Sequence, residues 1–441
     1  MGRNRLSDSP VPRIFGRIGF PLGFTRREHR REERPQSTGQ VAELFINHDS
    51  YVPSGGRGMS RESLLVEVDP HVFKWLRESA GWSIEDVSKR LKTNPETIQK
   101  FEKGEKKPSL HQLRELASAF KRPVAAFLLS KPKTEQPLPT DYRMLPERKD
   151  VFDKKTILTI RKARNLQEVS RELLTNVDDQ ITPRIGRKTI HDNPETLAEE
   201  YRTRFGITTE LQGKYRNAYE LFHHIRDKLE DHNILIFQYS MPVEDARGFA
   251  LVDKKPNIIV INTKDSIEAR LFSLMHEVGH IILGESAIDL PDATAVSRNN
   301  IERWCDSFAA NFLLPKALAK AVFKERESTL TETATLNYLS RKYKVSKAML
   351  LVSMNTTGFI TRNQVEEVLK RHKTAERQRK EGEKTKGSVS ADKRCISEKG
   401  TKFISLVANN YDRNNITYTD ALNYLSIKSK NFDKVLAKAR K

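Results

Sequence analysis

The sequence has very few cysteines and no long apolar run. Cysteine occupies two of its 441 positions, Cys305 and Cys395, which argues against a secreted disulfide scaffold and predicts a reducing, cytoplasmic location. No apolar stretch reaches the roughly 18 residues that a transmembrane helix needs, so no membrane partner is expected. With 37% hydrophobic and 31% charged residues, the chain has enough apolar side chains for two or three domains, each with its own core.

Negative charge is also in deficit, because the formal net charge is +20. A field of this sign attracts polyanions such as nucleic acid. A soluble protein with basic tails is the alternative explanation, and charge alone does not decide between them.

Lysine is missing from residues 1–58, which hold ten arginines and many glycines and prolines. This segment has no helical periodicity, so we expect it to be a disordered leader. A further hypothesis is that the native chain starts at Met59 and that the leader is translated upstream sequence.

The remaining sequence predicts a mainly α protein with a small β-sheet. Residues 65–130 hold five short amphipathic helices, which predict a compact helical domain. Residues 151–325 predict an α+β domain, in which strands Ile234–Tyr239, Gly248–Val252 and Ile258–Ile261 precede helices at about 267–283 and 300–314. The other predicted segments are a linker at 131–150, two helices within 195–232, a helical extension at 326–368, a charged flexible segment at 369–398 and small helices at 399–441.

The sharpest motif is the run from His276 to His280, which reads His-Glu-Val-Gly-His. On a helix, residues four apart share a face, so His276 and His280 can bind one zinc ion while Glu277 acts as general base. The flanking residues are almost all apolar, which predicts a buried helix. The alternatives are an incidental pair on a surface helix and a satisfied core histidine.

A catalytic zinc site needs a third protein ligand, and Glu302 is the candidate. Asp306 follows one turn later and can accept a hydrogen bond from a ligand histidine. The alternative is an amphipathic helix with exposed acids. Cys305 is a rival ligand, although a small packing role is preferred for it.

A peptidase also needs a donor for the tetrahedral oxyanion, which the sequence does not identify among Tyr239, His223 and His224. The run Ile258–Ile261 is a candidate edge strand that lines the cleft and pairs with an extended substrate.

Residues Ser83 to Gly104 have the layout of a helix-turn-helix. Asn94 can cap the second helix, Pro95 suits its first position and Gly104 its end. Base reading is expected from Gln99 and Thr97, and phosphate neutralisation from the basic side chains of Lys100, Lys103, Lys106 and Lys107. The predicted DNA-binding residues are Asn94, Thr97, Gln99, Lys100 and Lys103. The alternative is a helical bundle used for dimerisation or protein contact, because Glu96 would oppose an anionic groove.

Both regions resemble known families. Gly81 to Val87 (GWSIEDV) and Phe101 to Ser109 (FEKGEKKPS) resemble the Cro/CI-type helix-turn-helix. Phe272 to His280, followed by Glu302 to Pro315, resembles the ImmA/IrrE-type zinc metallopeptidases. Two departures stand out: many Cro/CI-like domains have Gln where Ile84 and Pro95 stand, and the peptidase family usually has Ala at Cys305.

The resemblance implies a five-helix DNA-binding domain followed by a zincin-like metallopeptidase domain. It implies zinc held by His276, His280 and Glu302, with Glu277 catalytic, in the cytoplasm of a bacterium or archaeon. It also implies a regulator of transcription that binds double-stranded DNA and cleaves a repressor or another protein partner. The second hypothesis is a non-proteolytic repressor or antitoxin-like protein with a structural or vestigial metal site. A homodimer is compatible with both hypotheses.

Overall fold

The computed structural model describes residues 64–132, 152–177, 185–252, 255–284, 295–380 and 389–439, with backbone alone at 295–299, 372–380 and 439. The predicted leader at 1–58 lies outside these residues, as does almost all of the predicted linker at 131–150. The class predicted from the sequence, mainly helical with one small sheet, is confirmed.

The N-terminal helices begin at side chains that cap their first backbone amides. Asp69, Ser83, Asn94 and Ser109 accept from amides in the first turns, as capping residues do. Four α-helices and one 3₁₀ turn stand where five helices were predicted. They are α1 (Pro70–Ser79), α2 (Ile84–Arg90), α3 (Pro95–Lys103), α4 (Leu110–Phe120) and the 3₁₀ turn Val124–Leu128.

The core of this bundle consists of the apolar positions at helical spacing, with Val72, Leu76, Ile98 and Phe120 fully buried. The first helix is also joined to the third by an ion pair, because Arg77 Nε lies 2.5 Å from Glu102 Oε1.

The bundle contacts the next helix, α5 (Lys154–Asn176). Lys154 Nζ lies 2.9 Å from Asp86 Oδ1 at the start of α2. Arg161 donates to the carbonyl oxygens of Ser79 and Phe120, at the C-terminal ends of α1 and α4. These contacts leave the exposed residues of α3 uncovered.

Three helices follow where two were predicted within 195–232: α6 (Pro194–Arg204), α7 (Thr209–Lys214) and α8 (Ala218–Asp231). The difference has a local cause. Gly206 has a φ of +66° just after the end of α6, and Thr208 then caps a new helix.

The sheet has three strands, β1 (Ile234–Tyr239), β2 (Gly248–Leu251) and β3 (Asn257–Asn262), in the order β1-β3-β2. β1 is parallel to β3, and β2 is antiparallel to it. The expectation that Ile258–Ile261 forms an edge strand is therefore wrong, because β3 lies in the middle and β2 at the edge. An apolar run without alternation is typical of a central strand that is buried on both faces.

Each face of the sheet belongs to a different hydrophobic core. One face, with Ile236 and Ile259, packs against α8 and the helix that carries the histidines. The other face, with Phe237 and Val260, packs against α5 and the C-terminal helices. Alternate residues of each strand supply the two cores because side chains alternate along a strand.

The first core is completed by α9 (Ile267–Leu283), α10 (Ala295–Leu313), α11 (Lys316–Glu325), α12 (Thr333–Tyr343), α13 (Lys347–Thr356) and α14 (Arg362–Lys380). The second core is completed by α15 (Ala391–Lys399), α16 (Thr401–Asp412), α17 (Tyr418–Leu425) and α18 (Phe432–Ala439).

The segment 369–398, predicted to be flexible, therefore contains helix at both ends. Cys395 of α15 is buried in the second core, and α15 packs against β1. Because many side chains of this segment are charged, its few apolar side chains gave no clear helical pattern in the sequence. Those apolar side chains pack α15 against the second core.

Candidate functional site

His276 and His280 lie on one face of α9, in the middle of a helix that is buried between the sheet and α10. Their exposed fractions are 0% and 4%. Their Nε2 atoms are 3.2 Å apart, as the one-turn spacing predicts.

Glu302 reaches the histidine pair from α10. One carboxylate oxygen lies 3.2 Å from His276 Nε2, and the other lies 3.4 Å from His280 Nε2. Ligands at about 2.05 Å around a tetrahedral zinc ion are about 3.3 Å apart. All three separations match that value, so the donor set and its spacing fit zinc. Among the described residues, this is the group of three metal-ligand side chains that converge.

The close approach of α9 and α10 depends on Gly279. A Cβ at this position would lie 3.0 Å from the Sγ of Cys305 and 3.2 Å from its Cα. Without a side chain at Gly279 the two helices can pack closely enough for Glu302 to reach the histidines. Cys305 is fully buried in this contact and does not belong to the converging group.

Asp306 lies one turn beyond Glu302, and its Oδ1 is 2.8 Å from Nδ1 of His276. An ionised carboxylate can only accept, so the hydrogen lies on Nδ1. In a neutral His276 this leaves the lone pair on Nε2, the atom that faces His280 and Glu302.

The charge of Glu302 is set by opposing effects. Burial raises the pKa of its carboxyl group, but in the metal-free site hydrogen bonds and positive charge from protonated His276 and His280 outweigh burial. The pKa of Glu302 therefore lies well below its ordinary value, and the group is ionised at neutral pH.

Glu277 is 3% exposed and faces the edge strand β2. A Cβ on Gly248 would lie 3.4 Å from Glu277 Oε1 and 3.0 Å from the carbonyl oxygen of Val260. Gly248 thus leaves space for the carboxylate beside the edge of the sheet. Sequence reasoning missed both glycines, because only the packing shows what a Cβ would meet.

The three candidates for the oxyanion donor are placed differently. Tyr239 belongs to the second core, on the opposite face of the sheet from Gly248 and Glu277. His224 Nε2 is 3.2 Å from the carbonyl oxygen of Phe205, and the side chain of His223 packs edge-on against Phe222.

The predicted DNA-binding residues divide into two groups. Asn94 Oδ1 accepts from both the amide and the hydroxyl of Thr97, so these two side chains hold the start of α3. Gln99, Lys100 and Lys103 are exposed along the same helix. These three remain available to a nucleic acid.

A groove beside α3 adds basic residues that sequence reasoning only partly found. Lys92, Lys106, Lys107 and His111 line it together with Glu115 and the N-terminal turn of α4, and Lys107 Nζ lies 3.0 Å from Glu67 Oε2. Lysines and the first turn of a helix are both suited to a phosphate. The predicted set did not include Lys92 and His111, which the turn and α4 bring next to the two other lysines.

Comparison with known proteins shows that two segments of the chain match family models. Residues 73–127 match the helix-turn-helix family model, and residues 229–355 match the Peptidase_M78 model, described as the IrrE N-terminal-like domain. The chain thus joins an N-terminal helix-turn-helix domain to an IrrE-like domain. The second match contains His276, Glu277, His280 and Glu302.

No curated protein matches the chain. Among solved structures, it is similar to a Mycobacterium tuberculosis transcriptional regulator, at 16% identity and a TM-score of 0.27. The similarity covers 43% of this chain and 52% of that one, so the chain spans about half the length of that structure. Similarity at this level supports no conclusion about function. None of the helices that the structure describes combines the length and the hydropathy of a membrane span.

Proposed function

We propose that this protein is a DNA-binding transcriptional regulator whose IrrE-like domain is a zinc-dependent endopeptidase acting on a repressor or another protein partner. The observation that carries the enzymatic part is the convergence of His276, His280 and Glu302 at tetrahedral spacing. These three side chains would hold the zinc ion, and Asp306 would orient His276.

Zinc, when bound in such a site, supplies Lewis acidity that polarises a peptide carbonyl and lowers the pKa of water. Glu277 is the proton carrier in our proposal: its Oε1 takes a proton from the attacking water and passes it to the leaving amine. The buried position of Glu277 beside β2 keeps bulk water away from this transfer.

The edge strand β2 offers a place for the substrate. Backbone groups on the outer side of an edge strand can pair with an extended peptide. Because Glu277 Oε1 faces Gly248 of this strand, a peptide laid along β2 would pass close to the proposed proton carrier. The role predicted for Ile258–Ile261 is therefore assigned to β2.

The peptidase proposal is tested with Glu277→Gln, which removes the proton carrier and keeps the three metal ligands. We expect full zinc content by elemental analysis and no cleavage, measured as new protein N-termini by mass spectrometry of cells that express each variant. Glu268→Gln, in the first turn of the same helix, is the matched control and should behave as wild type. Cleavage by Glu277→Gln at the wild-type rate would refute the proposal.

DNA binding is proposed from the exposed lysines of α3 and the basic groove beside them. Lys100→Ala should weaken binding to double-stranded DNA and reduce the slope of log affinity against log salt by about one. Lys74→Ala, on the exposed face of α1, is the control. An unchanged slope for Lys100→Ala in gel-shift titrations would contradict this placement of the DNA.

A further inference from the structure

A second polar cluster lies on the face of the sheet opposite to the histidines. Three elements contribute to it: Lys162 from α5, Tyr239 from β1 and Lys399 from the end of α15. The Nζ of Lys162 is 4.0 Å from the centroid of the Tyr239 ring, and the Nζ of Lys399 is 5.9 Å from the same centroid. The reaction proposed above uses none of these groups.

Two of these groups are deeply buried, and Lys162 is partly exposed. Lys399 is 1% exposed and Tyr239 is 7% exposed. Among the described residues, the Tyr239 hydroxyl has no hydrogen-bond partner. Among the residues that the structure describes, the two ammonium groups lie near aromatic rings, those of Tyr239 and Phe403.

The negative charge near the cluster is too small to balance its two ammonium groups. Burial, followed by the charge of Lys162, lowers the pKa of Lys399 to about 7, and nearby Cys395 and Glu398 oppose this only in part. Burial likewise lowers the pKa of Lys162. Within the part of the chain that the structure describes, Glu398 forms no ion pair with either lysine. A buried cation without a counter-charge is costly, and so is a buried hydroxyl without an acceptor.

We propose that Lys162, Lys399 and Tyr239 form a binding site for a small molecule that carries an oxyanion, either a carboxylate or a phosphoryl group. Such a group would accept hydrogen bonds from both ammonium groups and from the phenol, and it would supply the missing charge. The burial of Lys399 rules out the phosphate backbone of a DNA duplex as the occupant, because a duplex cannot reach a side chain that is 1% exposed.

The proposed site lies next to the contact between α5 and the helix-turn-helix domain. Arg161, next to Lys162 on α5, donates to the carbonyl oxygens of Ser79 and Phe120 in that domain. The charge of Lys121, at the end of α4, also acts on Lys162. An anion bound at Lys162 would therefore lie beside the contact that holds the DNA-binding domain on α5, which is a suitable place for an effector.

The test uses the full chain and two probes, inorganic phosphate and succinate, at constant ionic strength. Each effective probe should raise the midpoint of thermal unfolding by about 3 °C near saturation, since a ligand that binds only the folded state stabilises it. At pH 8, calorimetry in buffers of different ionisation enthalpy should show uptake of up to about one proton on binding, because the anion restores the charge of Lys399.

The variants are Lys399→Met, Tyr239→Phe and the matched control Lys393→Met, which changes an exposed lysine on the same helix. Lys399→Met should abolish the shift in midpoint and the proton uptake, Tyr239→Phe should weaken both, and Lys393→Met should keep both. If Lys399→Met does not fold, Tyr239→Phe provides the same comparison.

A response to one probe alone assigns that chemical group, and a response to both supports the shared oxyanion chemistry. Two results would overturn the proposal: no shift of the wild-type protein with either probe, or an equal shift in Lys399→Met and Lys393→Met. The second result would show a general salt effect. Stacking on the aromatic rings would then explain why the two lysines lie at this position.

Discussion

Replacing Gly279 with alanine tests whether the metal centre depends on the close packing of α9 against α10. The new Cβ would lie 3.0 Å from Sγ, 3.2 Å from Cα and 3.2 Å from Cβ of Cys305, whereas ordinary contacts lie at 3.4–4 Å. Since the Cα belongs to the backbone, α10 must move by a few tenths of an ångström. Glu302 is one turn away on that helix and would move with it.

Two opposing effects set the change in the free energy of unfolding. Alanine is favoured over glycine in a helix by about 1 kcal/mol, while overpacking of a core costs about 1–3 kcal/mol. The free energy of unfolding should therefore fall by about 0–2 kcal/mol. The zinc affinity should fall by about tenfold or more, because the separations of 3.2 and 3.4 Å between Glu302 and the histidines would increase.

The assay is a competition titration of zinc against a chromophoric chelator, combined with thermal denaturation of the metal-free protein. Gly213→Ala is the matched control: it lies in α7, and a Cβ there would meet no atom within 4 Å. It should bind zinc as wild type does and become slightly more stable. If Gly279→Ala binds zinc as tightly as wild type does, the close approach of α9 and α10 does not position Glu302.

Three further changes have defined outcomes. Asp306→Asn should lower the zinc affinity by about 10–100-fold in the same titration, because it weakens the hydrogen bond that orients His276; an unchanged affinity would remove Asp306 from the site. Arg161→Met removes two hydrogen bonds between α5 and the helix-turn-helix domain, so hydrogen exchange of that domain should become faster; unchanged protection would show that other contacts hold it. Lys399→Met should be more stable than wild type in phosphate-free buffer. Since burial lowers the pKa of Lys399 to about 7 from 10.5, its penalty is fully present below pH 7 and disappears as the pH rises towards 10.5. The advantage of the variant in denaturant titrations should therefore shrink over that range, and a constant advantage would contradict the charge explanation.

Several elements could be predicted because their signals are local. The apolar positions of α1 to α4 repeat at helical spacing, and Ser83 and Asn94 are capping residues at the predicted helix starts. The one-turn spacing of His276 and His280 likewise places their side chains on one face of any helix that contains them. Periodicity and capping depend on neighbouring residues, so no tertiary information was needed.

Other features depend on contacts between distant segments, which local sequence patterns do not show. The run Ile258–Ile261 is apolar whether it lies at the edge or in the middle of a sheet, and the pairing with both β1 and β2 places it in the middle. The charged segment 369–398 gave a weak apolar signal, although Cys395 packs in the second core.

The amino-acid sequence specified the chemical groups of the candidate site: two imidazoles one helical turn apart, an adjacent carboxylate and an acidic pair downstream. The packing of α10 on α9 decided that Glu302 meets the histidines, because Gly279 leaves no side chain between the helices. The packing of α15 and α5 on the sheet likewise decided that Lys162 and Lys399, far apart in the chain, both lie near the ring of Tyr239. Spacing along a helix is a property of the local backbone, whereas the meeting of distant side chains follows from which surfaces the folded chain buries together.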